Sequence, residues 1–194
     1  MRQYSVIYAD PPWRYRNKRH GYGGAEDHYP TMALADIKAL RVPAANDSAL
    51  FMWATMPMLA QALEVIDAWG FEFRTTAFCW IKVSQSGDRL VTGLGHWTRS
   101  NSELCLLGVR GRPRPVSSRV HSVVIHPRGR HSEKPAEVRE RIVALMGNVP
   151  RLEMFARTRT PGWDTWGNEV RNSVVVQSVV SERTRAERRI RWAG

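Results

Sequence analysis

Tyr4-Ser5-Val6-Ile7-Tyr8-Ala9-Asp10-Pro11-Pro12-Trp13 is the stretch on which the reading of this 194-residue chain turns. Val6, Ile7 and Tyr8 favour a strand. Pro11 and Pro12 stop it, because neither has an N–H for a ladder and both fix φ. Asp10 is therefore expected at the carboxyl end of a buried strand, the edge of an open α/β sheet where ligands bind. Such a corner suits transfer to the exocyclic amine of a flat ring, whose lone pair is delocalised and attacks poorly. A carboxylate and a proline carbonyl, both acceptors, can take its two N–H groups and draw the nitrogen towards tetrahedral geometry. Trp13 offers a face on which a base could stack. The plainer alternative is a strand-ending turn with a packed tryptophan.

The composition around this stretch narrows the classes. With 43% hydrophobic residues and eight tryptophans, the chain is expected to form one domain with a substantial core. No apolar run approaches the roughly 18 residues of a membrane span, and a strand so near the start speaks against a signal peptide. A cytoplasmic protein is the expectation, in a bacterium or a phage-infected cell. Cys79 and Cys105 lie in apolar runs and read as reduced, buried thiols. His126 and His131 have proline and glycine between them and no further ligands in register, so no metal site is expected.

Charge is more informative. Lys and Arg number 29 against 18 acids, a net +11. Arg110, Arg112, Arg114, Arg119, Arg128 and Arg130 fall in one stretch without an acid, and Arg183, Arg185, Arg188, Arg189 and Arg191 crowd the C-terminus. The basic runs lack a strong apolar face, so nucleic acid is favoured over membrane as the polyanionic partner. Both stretches are expected to contact phosphates.

In chain order, 14–29 reads as a glycine- and tyrosine-containing basic loop, with Tyr29 the foremost candidate to stack on a base. Thr31 can cap a short helix through Leu34, Ile37 and Leu40, ended by Pro43. Ala49–Ala54 has the continuous apolar character of a strand buried on both faces. Pro57 then opens a helix ended by Gly70, and Phe71–Val83 is a strand, which together predict a βαβ unit and a parallel sheet. Ser84–Asn101 is a long loop carrying His96 and Trp97, and Glu103–Val109 a strand. Ser122–His126 suggests an edge strand, Pro135 to Gly147 a helix, and Leu152–Ala156 a short strand. Gly162–Glu169 reads as a compact turn, and Val174–Val180 has strand composition.

Taken together, these segments resemble the MT-A family of adenine amino-methyltransferases from Tyr4 to about Val170. Besides Asp10 to Trp13, the resemblance is carried by Tyr29-Pro30-Thr31-Met32, Gly95-His96-Trp97-Thr98, Glu103 to Gly111, and His131-Ser132-Glu133-Lys134-Pro135. Glu153-Met154-Phe155-Ala156-Arg157 and Gly162 to Glu169 complete it. It implies an α/β, Rossmann-like class I methyltransferase fold in a single domain, residues 1–170, followed by a basic extension, 171–194. The catalytic motif would precede the cofactor-binding strand, a permuted order that also accounts for the lack of a G-x-G-x-x-G after the first strand.

The resemblance further implies S-adenosylmethionine as methyl donor and a site-specific, adenine-directed enzyme acting on DNA. The alternatives are an RNA adenosine methyltransferase or a non-catalytic nucleic-acid-binding subunit. Asp10, Pro11, Pro12 and Trp13 would form the catalytic corner. Asp10, Lys134, Arg157, Asn168 and Glu169 would bind the cofactor, Lys134 by pairing with its carboxylate. Tyr29, His96, Trp97, Arg110, Arg112 and Arg114 are candidates for the nucleic-acid side; His96 and Trp97 are read equally well as loop packing or a subunit contact. Homodimer and heterodimer both stay open. Relatives often carry His-Asn where this chain has Arg159 and Thr160, and Gln where it has Glu169. Longer relatives contribute a segment before the catalytic strand to the adenine pocket, and a chain with three residues before Tyr4 is expected to lack it.

Overall fold

The computed structural model describes residues 2–14, 30–93, 97–129 and 133–179. Its centre is β1 (Tyr4–Ala9), whose residues are buried except for Ser5. That strand pairs in parallel with β3 (Ala44–Ala54) on one side and with β7 (Arg151–Met154) on the other. A seven-stranded sheet results, in the order β6-β4-β5-β3-β1-β7-β8, where β4 is Glu72–Val83, β5 Ser102–Arg110, β6 Val123–Pro127 and β8 Asp164–Trp166. Within it only β5 runs antiparallel to its neighbours. The expected Rossmann-like methyltransferase fold is the one found.

Two hydrophobic layers cover the sheet, one on each face. Ile7, Leu50, Met52 and Leu106 pack with α1 (Leu34–Lys38) and α2 (Leu59–Ala68). On the opposite face Tyr8, Phe51, Trp53, Trp80 and Cys105 pack with Val138, Ile142 and Met146 of α3 (Ala136–Met146). At Gly108 the α2 layer approaches the sheet so closely that a Cβ would lie 3.0 Å from Ile66 and 3.1 Å from the Cβ of Phe71. The parallel β3–α2–β4 crossover is present as expected, but β5 is inserted between its two strands. The local pattern of residues 49–83 carries no sign of that insertion.

Four local expectations change. Gly162–Glu169, expected as a compact turn, contains β8, which extends the sheet beyond β7. The helix after Thr31 runs from Leu34 to Lys38, and Ala33, at its N-cap, gives no side-chain cap. Leu40 and Arg41 leave it to form β2, pairing with β9 (Gln177–Ser178). Among the described residues of the apolar 174–180 stretch, only those two form a strand; Val174 and Val176 instead pack against the α1/α2 core. Cys105 is fully buried, whereas Cys79 is only partly so. No helix among the described residues is long and apolar enough to cross a membrane.

Candidate active site

Parallel strands β1, β3 and β7 end together, so Asp10, Thr55 and Phe155 emerge side by side at one sheet edge. Because β5 runs the other way, its first residues reach that edge, with Leu104 opposite Ala54. Glu103 thereby joins Asp10. Pro135 has no N–H to leave unsatisfied before α3, and the segment leading into that helix carries Lys134 over the same edge. The residues enclose an open cleft of about 970 Å³ of atom-free space, counted to its mouth.

An alternating chain of charge crosses the cleft floor. Lys134 Nζ lies 2.7 Å from Asp10 Oδ2 and 3.5 Å from Glu103 Oε2, and Lys82 Nζ bonds the other Glu103 oxygen at 2.5 Å. Lys134 is nearly buried, its ammonium 5.7 Å from the centre of the Trp53 ring. Burial pushes the Asp10 carboxyl above the ordinary aspartate range; Lys134 opposes the shift, while Glu103 and Glu153 add to it. Burial would raise Glu103 too, but Lys134 and Lys82 outweigh it and hold that carboxyl below its usual range.

The corner from Asp10 to Trp13 is rigid. Trp13 N–H donates to the Pro11 carbonyl at 2.8 Å, and Met32 N–H to the Pro12 carbonyl at 2.9 Å. A carbonyl has two lone pairs, so one on Pro11 remains for a ligand. Trp13 is 4% exposed and its indole N–H donates to the Trp53 carbonyl at 3.2 Å. It forms a fixed wall of the cleft.

Opposite Asp10, Phe155 leaves β7 with φ +61°, a conformation that costs a non-glycine residue. Its ring meets Trp166 edge to face at 5.3 Å. Ala156 N–H bonds the Trp166 carbonyl at 3.0 Å, which draws the two loops into contact. A Cβ on Gly167 would lie 2.1 Å from the Ala156 oxygen, so only glycine fits there. The contact sets Arg157, Asn168 and Glu169 on the cleft wall, with Arg157 Nε 3.0 Å from Glu169 Oε1.

Asp10, Pro11, Pro12, Trp13, Lys134, Arg157, Asn168 and Glu169 are thus brought to one cleft. Tyr29 and His96 lie outside the described residues. Trp97 is fully exposed, with φ +67°. The arginines expected to contact nucleic acid lie away from the cleft: Arg110 pairs with Ser48 near the start of β3, at the opposite end of the strands. Its guanidinium donates to the carbonyls of Gly70 (3.1 Å), Ala44 (3.4 Å) and Trp69, and lies 4.7 Å over the Phe71 ring. The side chain ties the α2–β4 turn to β3. Arg112 and Arg114 follow it and are exposed. Trp53, Thr55, Glu103, Phe155, Trp166 and Asn172 also line the cleft without having been singled out as site residues. For Glu103 the signal was its period of two with Cys105 and Leu107, which puts the three on one face.

Comparison with known proteins agrees with this geometry. A family model described as MT-A70 matches residues 4–169. The chain is 35% identical over 190 residues to the type II methyltransferase M.MunI of Mycoplasma sp., covering 87% of this chain and 78% of that protein. It is 31% identical over 173 residues to the N(6)-adenosine-methyltransferase catalytic subunit METTL3 of Homo sapiens, covering 87% of this chain but only 28% of that one. A probable N(6)-adenosine-methyltransferase of Oryza sativa subsp. japonica is 30% identical over 188 residues, 95% of this chain and 25% of its own length.

Proposed function

The chain belongs to the MT-A70 family of methyltransferases, whose methyl donor is S-adenosylmethionine, and from that premise we propose that it methylates the N6 amino group of adenine in DNA. The observation that carries the reading is the meeting of Asp10 and the Pro11 carbonyl with Lys134, Arg157, Asn168 and Glu169 around one cleft. The residues present suit the donor. Lys134 and Asp10 offer a cation and an anion 2.7 Å apart for the ends of a zwitterion, Lys134 to its carboxylate and Asp10 to its ammonium. Arg157, Asn168 and Glu169 offer hydrogen bonds to a ribose, beside the Phe155 and Trp166 rings. Bound there, S-adenosylmethionine supplies an electrophilic methyl group on a sulfonium.

The work left to the protein is positioning. Asp10 accepts one N–H of the target amine and the free lone pair of Pro11 accepts the other. Both stabilise the positive charge that grows on nitrogen as it attacks. One proton must leave that nitrogen after transfer, and Asp10 is the acceptor in reach. Trp13 and Trp53 keep the corner in place. In a duplex the adenine has to leave the stack to enter the cleft.

DNA is preferred because a relative matched over 78% of its own length is a type II methyltransferase. The likeness to adenosine methyltransferases supports RNA as the second reading. Labelled methyl transfer to single- and double-stranded DNA and RNA, followed by nucleoside analysis, tests both. N6-methyldeoxyadenosine is the expected product; label in RNA alone would overturn the DNA reading. Cofactor binding without transfer to any substrate would mark a non-catalytic subunit.

Among the basic residues, the two settings of arginine predict different phenotypes. Arg112→Ala and Arg114→Ala should each lower the salt slope of log K for DNA by about one unit. Arg110→Ala should leave that slope alone and reduce stability by roughly 1–3 kcal/mol, read by denaturant melting.

A further inference from the structure

We propose that Arg139 and Glu153, neither of which lines the cleft, are positioning residues for methyl transfer: their ion pair fixes the Tyr8–Trp53 floor on which Lys134 and Asp10 are set. The inference rests on the functional reading above. Glu153 lies on β7 directly opposite Tyr8 of β1 and is 5% exposed. From the first turn of α3, Arg139 grips it with two bonds, Nε to Oε2 at 2.8 Å and a terminal nitrogen to Oε1 at 2.6 Å. The guanidinium also lies 5.4 Å from the Tyr8 ring centre.

Contact continues from there to the reacting end of the cleft. The Tyr8 hydroxyl accepts the Trp53 indole N–H at 2.6 Å. Trp53 carries the Lys134 ammonium against its ring, and its carbonyl accepts the Trp13 indole N–H. Lys134 completes the path to Asp10. A buried, bidentate ion pair is costly to desolvate and by itself poor evidence for stability, so its place under this floor calls for another reason. Holding an aromatic floor in one geometry is such a reason.

Asp10 also feels the pair through space. Facing it are Lys134 and Arg139 from α3 and its lead-in, Glu103 and Cys105 from β5 and Glu153 from β7, with Lys82 of β4 bound behind Glu103. Glu153 raises the Asp10 carboxyl, and Arg139, whose own charge Asp10 favours, must lower it. Removing one or the other therefore has opposite consequences, which loss of packing would not produce.

The test is Arg139→Met and Glu153→Gln in the full chain. The Asp10 carboxyl is titrated by carbon NMR without cofactor, and the acid limb of the methyl-transfer pH profile is measured alongside. Arg139→Met should move both upward and Glu153→Gln both downward, with Arg139→Lys returning most of the shift. Each of the first two should lose between about ten- and a hundredfold in kcat/KM, as misplaced reacting groups do. An unmoved titration, or shifts in the same direction, overturns the proposal. Should either variant fail to fold, the double replacement Arg139→Met/Glu153→Met removes both charges, and wild-type kcat/KM in that protein overturns it equally. The NMR titration needs no methyl transfer. An inactive wild-type protein whose Asp10 still shifts in opposite directions would therefore sink the functional reading, and with it the role in methyl transfer, while leaving the pair's hold on the Asp10 environment.

Discussion

Asp10→Asn is expected to melt no lower than the unaltered protein while transferring methyl groups about 10²–10³ times more slowly. The two halves of this result have one cause. Burial holds the folded-state carboxyl of Asp10 above its ordinary value. A group raised in this way favours the fold below its unfolded pKa, and that advantage is lost as pH rises through the folded one. At neutral pH the ionised side chain is therefore a burden on stability, although Lys134 relieves it. Asparagine removes the burden and leaves Lys134 its second carboxylate, Glu103. What disappears is an anionic acceptor where positive charge develops on the amine. Melting curves and single-turnover transfer at saturating cofactor check both halves, and a variant retaining more than about a tenth of the rate would reject the assignment.

Lys134→Ala should weaken S-adenosylmethionine binding by roughly 10- to 150-fold, the equivalent of one charge-assisted hydrogen bond. A bond to the donor's carboxylate is made equally before and during transfer, so the loss should fall on Kd and KM more than on kcat. A secondary effect has the opposite target. Without Lys134 the Asp10 carboxyl loses the neighbour that pulls it down, so the acid limb of kcat should move upward. Calorimetry of cofactor binding is the direct check, and an unchanged Kd would return Lys134 to a role in the Asp10–Glu103 ion chain alone.

How far the sequence could be read follows from the range of the forces involved. The β1 corner was legible because strand composition, two prolines and an acid are local facts. So was α3, opened by Pro135 and closed by Gly147 at φ +78°. The insertion of β5 was not, since pairing of β4 and β3 with it depends on partners some 20 to 60 residues away that no local pattern names. Leu40 misled for a similar reason: its helical spacing with Ile37 was overridden by a strand partner at Ser178. Arg110 looked like its arginine neighbours because charge along a chain says nothing of which guanidinium finds three carbonyls. The Arg139–Glu153 pair, too, joins a helix face to a strand and exists only once both are packed.

Strand β1 pairs with β3, roughly forty residues on, and with β7, nearly a hundred and fifty residues on. During synthesis Tyr4–Ala9 therefore emerges long before one of its two edges has anything to bond. A ladder closed over that distance is slow to form, and an apolar strand waiting with an open edge is prone to join the wrong neighbour. Arg157 follows directly on β7, and Asn168 and Glu169 follow β8, which pairs with it. The last ladder to close on the central strand thus also completes the cleft, so a nascent chain has no finished cleft to offer until its sheet is whole.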